Sequence, residues 1–297
     1  MENEINDLLT QKNIKISCII PAYNEGETVE NVLKIISSYS PFSEIILVND
    51  GSKDQTRDIF MKYETEYPKI RVISNETNNG KTNAIIKGVA NSKGQLLVFI
   101  DADLLTLTHD HLDRLITPVL KGEIDMAILS KESDDISPIG WSNFIVSRPL
   151  GGERAIWKKD FEKIHFDGDE RYGLEVMLNT AYINMNKRIR TIRAPKLLSL
   201  YQSQKKQSLI TALLRWKGML HDIHKVTGVK GYVKQAVEVE EDRLRKLYEV
   251  KERSRVKAPM MAGILVAGLT LSTITFLLLN TRNRIEKTKG FLKKNSN

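Results

Sequence analysis

The sequence predicts an α/β fold, a mainly parallel sheet with helices on both faces. Two observations carry that reading. Short β-branched runs alternate with helically spaced segments through residues 1–130. Strand–helix alternation at this pitch argues for strands covered on both faces. Several of them also stop on Pro, Asn, Asp or Gly, the residues that turn a chain.

The elements follow in order. "KISCII", Lys15 to Ile20, reads as the first strand, ended by Pro21, whose ring fixes φ and removes a donor. "ETVENVLKIISSYS" has helical spacing at Val29, Val32, Leu33 and Ile36. "EIILVND" (Glu44 to Asp50) is a strand, "KDQTRDIFMKYETEY" a helix, "IRVIS" a strand and "KTNAIIKGVANS" a helix. "QLLVFIDAD" is a strand, "HDHLDRLITPVLKG" a helix and "DMAILS" a strand. "SRPLGGERAIWKKDF" follows a loop. "DERYGLEVMLNTAYINMN" contains a helix with Leu174, Met177, Leu178 and Ala181 on one face, and "RIRTIRAP" reads as a strand.

Ligands of such sheets sit beyond the carboxyl ends of the strands. Those ends read Pro21-Ala22-Tyr23-Asn24-Glu25, Asn49-Asp50-Gly51-Ser52 and Asp101-Ala102-Asp103, and all three are expected along one edge. Asp101 and Asp103 close a buried strand, where two carboxylates repel unless a cation lies near. Mg²⁺ or Mn²⁺ suits them, with open positions left for phosphate oxygens and water; a turn or capping pair is the alternative. Asp50 can accept from a pyrimidine N–H or a sugar hydroxyl, or make an Asx turn beside Gly51. Lys81, at a loop-to-helix boundary after Gly80, can offer an ammonium and helix N–H groups to a diphosphate.

Taken together, "IIPAYNEGETV", "ILVNDGSKDQT", "NNGKTNAI" and "VFIDAD" resemble, in order and spacing, the family 2 glycosyltransferases of GT-A fold. The resemblance implies a nucleotide-sugar donor, UDP- or GDP-linked with UDP favoured, and a divalent metal at Asp101 and Asp103. It implies a nucleotide pocket from Pro21, Ala22, Tyr23, Glu25 and Asp50, extended by Asp101 and Ala102, with Lys81 near the base or diphosphate. "GGERAIW" and "RYGLEVML" resemble the acceptor side of members acting on polyprenyl phosphates or on small acids such as phosphoglycerate. There Gly151, Gly152, Glu153 and Arg154 precede Gly173, Leu174 and Glu175. Glu175 is the first candidate for a base or acceptor-orienting group, with Asp169 and Glu170 as alternates and Arg154 beside them; pairing of Glu175 with Arg154 or Arg171 is the structural alternative. Phosphoglycerate-type relatives carry a histidine after the last strand, and "LLSLYQSQKK" has none.

The rest of the chain changes character. Leu209, Leu213, Trp216, Leu220 and Ile223 form an apolar stripe, suited to packing on the domain or lying among lipid headgroups. Pro259 to Asn280 contains no charged residue and has the length of a membrane-spanning helix. Small residues at Gly263, Ala267, Gly268 and Ser272 permit self-association there. The expected organisation is a transferase domain over 1–200, with a nucleotide half 1–130 and an acceptor half 131–200. Surface helices over 201–257, a transmembrane helix over 258–280 and a basic tail over 281–297 follow.

The net charge of +8 is concentrated late, on both flanks of that apolar segment. With no nucleic-acid motif beside it, this points to anionic lipid. No apolar leader precedes the first strand, and the lone Cys18 lies inside a strand, so a cytosolic domain is expected. A dinucleotide-binding turn is absent. The function expected is hexose transfer to a membrane lipid, against a small soluble acceptor or a catalytically inactive membrane scaffold of the same fold.

Overall fold

A computed structural model describes residues 2–131, 151–166 and 173–199 of the chain. In chain order these form α1 (Glu2–Lys12), β1 (Ile16–Ala22), α2 (Val29–Ser38), β2 (Phe42–Asp50), α3 (Thr56–Glu66), β3 (Ile70–Asn75) and α4 (Lys81–Ala90). They continue with β4 (Leu96–Phe99), α5 (His109–Leu120), β5 (Met126–Lys131), β6 (Arg154–Trp157), α6 (Lys158–Phe161), α7 (Leu174–Asn184) and β7 (Ile189–Ala194). The sheet order is β3-β2-β1-β4-β6-β5-β7.

Every residue of β1 is buried, because β1 lies between β2 and β4, parallel to both. Alternate side chains then enter opposite layers. Cys18 and Ile20 join Val32 and Leu33 of α2 and Leu112 and Ile116 of α5. Ile19 joins Ile85 and Val89 of α4 and Leu178 and Tyr182 of α7. This is why β1 and its neighbours are mostly apolar. Burial pushes the Cys18 thiol up, as befits a core residue.

Four details differ from the sequence reading. Strand β1 does not stop at Pro21 but pairs on through Ala22, opposite Asn49. The Ile19 carbonyl accepts from Ile100 on the β4 side, so by alternation Pro21 faces that side too. The β4 ladder has already ended there, at Phe99, so the proline's missing N–H costs no ladder bond. Strand β6, four residues carrying an arginine, was read as no element; it runs antiparallel between β4 and β5. Helix α1 also went unread; it lays Ile5 and Leu9 on the core, and Lys12 Nζ donates to the Leu120 carbonyl at the end of α5 (2.7 Å). Lastly, α7 buries Leu174, Val176, Leu178, Asn179 and Tyr182, not Met177 and Ala181, because it packs apolar side chains on more than one side.

Among the described residues no helix is long and apolar enough to cross a membrane. The expected span over 258–280, the surface helices over 201–257 and the tail over 281–297 all lie outside them.

The far edge of the sheet is fastened electrostatically. Asp125 Oδ2 accepts from the Arg188 main-chain N–H (2.9 Å) and Nε (3.0 Å), just where β5 and β7 begin to pair. Burial works to raise the Asp125 pKa, but the main-chain and guanidinium donors of Arg188 outweigh it and hold it below the usual carboxylate range. A depressed carboxylate pKa contributes stability above its unfolded value, and that contribution is lost as pH falls through the folded value. Asp125→Asn should therefore cost about 1 kcal/mol at neutral pH. It should also flatten part of the stability loss below about pH 4, as read by urea denaturation across pH.

Candidate functional site

The turns after β1 and β2 clasp each other. Asn24, at a positive φ of 55°, is a residue type that tolerates the left-handed region. Its N–H donates to Ser52 Oγ (3.1 Å), and its Oδ1 accepts from the Lys53 N–H (2.8 Å). The next two amides continue the clasp: Glu25 N–H to Thr56 Oγ1 (2.8 Å) and Gly26 N–H to Asp54 Oδ2 (2.9 Å). Asp54 Oδ1 meanwhile accepts from the Thr56 N–H (3.0 Å) and hydroxyl (2.6 Å), at the start of α3. Tyr23, 42% exposed, is left standing at this edge beside the buried Pro21 and Ala22.

Asp50 ends β2 only 3% exposed. Its Oδ1 accepts from Asn75 Nδ2 (2.7 Å) and the Asn79 N–H (3.0 Å), and its Oδ2 from the Gly80 N–H (2.8 Å). The carboxylate expected to meet a base or a sugar is thus engaged with the loop from β3 to α4. Gly51 makes room for that loop. Its φ is +73°, and a Cβ there would lie 2.5 Å from the Thr77 carbonyl carbon.

Lys81, the first residue of α4, reaches the third strand end. Its Nζ lies 2.7 Å from Asp101 Oδ1 and 3.1 Å from Glu175 Oε1. Burial opposes its charge, but Asp101, Glu175 and the fully buried Glu153 outweigh it and raise its pKa. Glu175 is therefore paired with Lys81, a partner the sequence reading did not anticipate. Gly152 presses on the same pair, since a Cβ there would stand 2.4 Å from Asp101 Oδ2 and 2.6 Å from Lys81 Nζ. Arg154 is 1% exposed. Its Nε donates to the Gly151 carbonyl (2.8 Å) and an Nη to Asn179 Oδ1 of α7 (2.7 Å). That geometry has it brace the glycine turn from beneath.

Glu25 is pushed up to about 7, first by burial and then by the charge of Asp103, with Asp101 and Asp54 adding to it. Carboxylates from the turn after β1, the end of β4 and the start of α7 thus converge at this edge. Among the described residues no group of three or more His, Cys, Asp or Glu side chains is placed to hold a metal. Asp101 and Asp103 fit a cation of another kind, one that takes one or two carboxylates and completes its shell with substrate phosphates and water. Asp169, Glu170 and Arg171 lie outside the described residues.

The structure thus brings Glu25, Lys81, Asp101, Asp103 and Glu175 to one edge, with Pro21 and Ala22 closing β1 and Tyr23 and Ala102 on the turns beyond the strands. It turns Asp50 and Arg154 inward. Sequence reading missed Asp54, Thr56 and Asn75, and placed Glu153 in the glycine-led acceptor segment without a role of its own. The polar run "GSKDQT" was the available signal for the first two; nothing local marked Asn75.

Residues 17–174, just over half of the chain, match the family model for glycosyl transferase family 2. A dolichyl-phosphate beta-glucosyltransferase of Trichomonas vaginalis is 35% identical over 107 residues, 33% of this chain and 33% of that protein. The glycosyltransferase AglD of Haloferax volcanii is 31% identical over 132 residues, 42% of this chain and 21% of that one. The chain therefore spans about a third or less of the length of these relatives. Glucosyl-3-phosphoglycerate synthase of Mycobacterium tuberculosis, solved with Mn²⁺, UDP-glucose and phosphoglyceric acid, superposes with a TM-score of 0.61 at 20% identity. That superposition covers 76% of this chain and 83% of the synthase, and it speaks for the fold.

Because Gly51 combines a positive φ with backbone packed against it, Gly51→Ala should lower stability by about 1–3 kcal/mol. Thermal unfolding reads that loss. A Tm equal to the wild type's would show that the 75–80 loop does not pack on the end of β2 as described.

Proposed function

Since the chain belongs to glycosyl transferase family 2, we propose that it moves a hexose from a UDP-sugar, or less readily a GDP-sugar, to a membrane lipid ending in phosphate, of the polyprenyl phosphate class. The observation that carries this reading is the edge where Lys81 joins Asp101 to Glu175 and where the charges of Asp103 and Asp101 help to hold the Glu25 pKa up. Transfer needs such a place. The acceptor oxygen attacks the anomeric carbon, the bond from that carbon to the diphosphate breaks, and the electron pair leaves on the nucleoside diphosphate.

Asp103 and Asp101 would hold Mg²⁺ or Mn²⁺, which when bound supplies charge neutralisation for the leaving diphosphate. Lys81 keeps Asp101 in place and adds a positive charge beside it. Tyr23, exposed next to Pro21 and Ala22, offers an aromatic face to a base. Glu175, tied to Lys81, acts as an orienting group on the acceptor side. A phosphate acceptor is already ionised and asks little of a general base.

Three facts support the lipid. A relative matched over a third of its length is named a dolichyl-phosphate glucosyltransferase. Pro259 to Asn280 is uncharged and of spanning length. Basic residues also flank that stretch on both sides, which suits anionic headgroups. Anchoring would confine a catalytic domain on the cytosolic side to the plane of its acceptor.

Incubating the full chain with UDP- and GDP-hexoses and a membrane lipid extract should give a hexosylated lipid by mass spectrometry. Hexose recovered only on a soluble acid such as 3-phosphoglycerate would overturn the lipid assignment. Asp103→Asn should leave the fold intact by circular dichroism, yet remove Mn²⁺-dependent UDP binding by calorimetry and reduce transfer by on the order of 10²-fold or more. Wild-type affinity in that variant would refute the metal role.

A further inference from the structure

We propose that Thr106 is a positioning residue for Asp103, holding the loop after β4 against the turn that leaves β7 so that the Asp103 carboxylate keeps its place at the active edge. The proposal rests on the transferase reading above and concerns the metal side of that same site.

Four observations support it. First, two segments far apart in the chain are laced together directly after Asp103. Leu104 bridges Ser199 in antiparallel fashion, and the Leu105 N–H donates to the Leu198 carbonyl (2.8 Å). Second, the Thr106 hydroxyl continues the lacing in both directions. It donates to the Lys196 carbonyl and accepts from the Leu198 N–H (2.8 Å). One side chain thus serves an acceptor and a donor of the facing backbone.

Third, the turn that receives Thr106 has to be held. Its Leu197 N–H donates to the Ala194 carbonyl (3.3 Å), with Pro195 and Lys196 between them. Lys196 sits at a φ of 62°, in a place that usually goes to Gly or Asn and that other residues keep only where neighbours enforce it. Thr106 grips the carbonyl of that residue, and His111 of α5 takes the carbonyl before it. His111 Nδ1 accepts from the Thr108 N–H (3.2 Å), which leaves Nε2 to donate to the Pro195 carbonyl (2.8 Å). Leu104, Leu107 and Leu197 pin both segments into one apolar layer from beneath.

Fourth, the lacing is one of two anchors for the carboxylates. The Ile100 N–H donates to the Ile19 carbonyl (3.2 Å), so residues 101–103 are slung between that bond and the bridge at Leu104. Asp101 lies beside the first anchor and is also tied to Lys81. Asp103 lies beside the second, and Thr106 secures it.

The test uses the full chain. Thr106→Val keeps the side chain's shape and removes the hydroxyl; Thr106→Ser keeps the hydroxyl. Thr106 is exposed, so neither change disturbs the apolar layer. In Thr106→Val, hydrogen–deuterium exchange should show lost protection at the Leu105 and Leu198 amides. The Mn²⁺ concentration that half-saturates UDP binding, read by calorimetry, should rise about tenfold, as when the support of a metal ligand is removed. At saturating Mn²⁺ the UDP affinity should return to within about twofold of the wild type's, since the rest of the pocket is untouched. Thr106→Ser should match the wild type within about twofold throughout, because it retains both bonds.

An unchanged Mn²⁺ midpoint in Thr106→Val would overturn the proposal, as would unchanged protection at the two amides. A loss that Thr106→Ser fails to restore, or one equally deep at saturating Mn²⁺, would count against it in the same way. These outcomes leave the transferase reading standing. A wild-type chain whose UDP binding does not respond to Mn²⁺ would defeat the metal assignment of that reading, and the proposal with it.

Discussion

A single ammonium group sits between two carboxylates that come from opposite halves of the sheet. Asp101 follows β4 and Glu175 opens α7, and Lys81 meets both. Two acidic groups converging at a partly buried edge would repel each other without it, and each would carry a desolvation cost. The folded edge is therefore organised around where Lys81 can be held. The neighbouring groups make sense in those terms. Gly152 is small because any larger residue would collide with the pair. Glu153 is fully buried and adds to the field that keeps the ammonium charged. Arg154 ties the glycine turn to α7, the helix that brings Glu175.

The two turns on the other side of the edge are built differently. After β1 and β2 the chain is fastened by side-chain oxygens catching main-chain amides: Ser52, Asp54 and Thr56 hold residues 24–26, and Asn24 holds residue 53. Such bonds fix the two turns against each other through their backbone. Carboxylates are gathered along this edge. Lys81 pairs with Asp101, and burial together with the charges of Asp103 and Asp101 pushes Glu25 up to about 7. An edge rich in carboxylates suits a ligand that arrives with a cation.

Much of this was legible in the residues themselves. The central strands announced themselves because burial on both faces leaves them mostly apolar, and α2 because Val29, Val32, Leu33 and Ile36 all point inward. The strand-end turns were legible because Asn, Asp and Gly mark a turned backbone. The rest depended on tertiary pairing. Strand β6 is four residues long with a buried arginine, so neither length nor alternation marks it; its two neighbours create it. Glu175 and Lys81 lie 94 positions apart, and no local pattern says they meet. Asp50 had the right residue type in the right place for a ligand contact, and only the fold shows its oxygens already engaged.

The reversed direction of β6 has one more effect. Every other strand finishes at the edge that carries Lys81 and Asp101, but β6 begins there, with Gly151 and Gly152 just before it. The chain between Lys131 and Gly151 consequently departs from and returns to the same rim. Reversal thus delivers a pair of glycines to that rim at the point of re-entry into the sheet, which is how Gly152 comes to stand against Asp101 and Lys81.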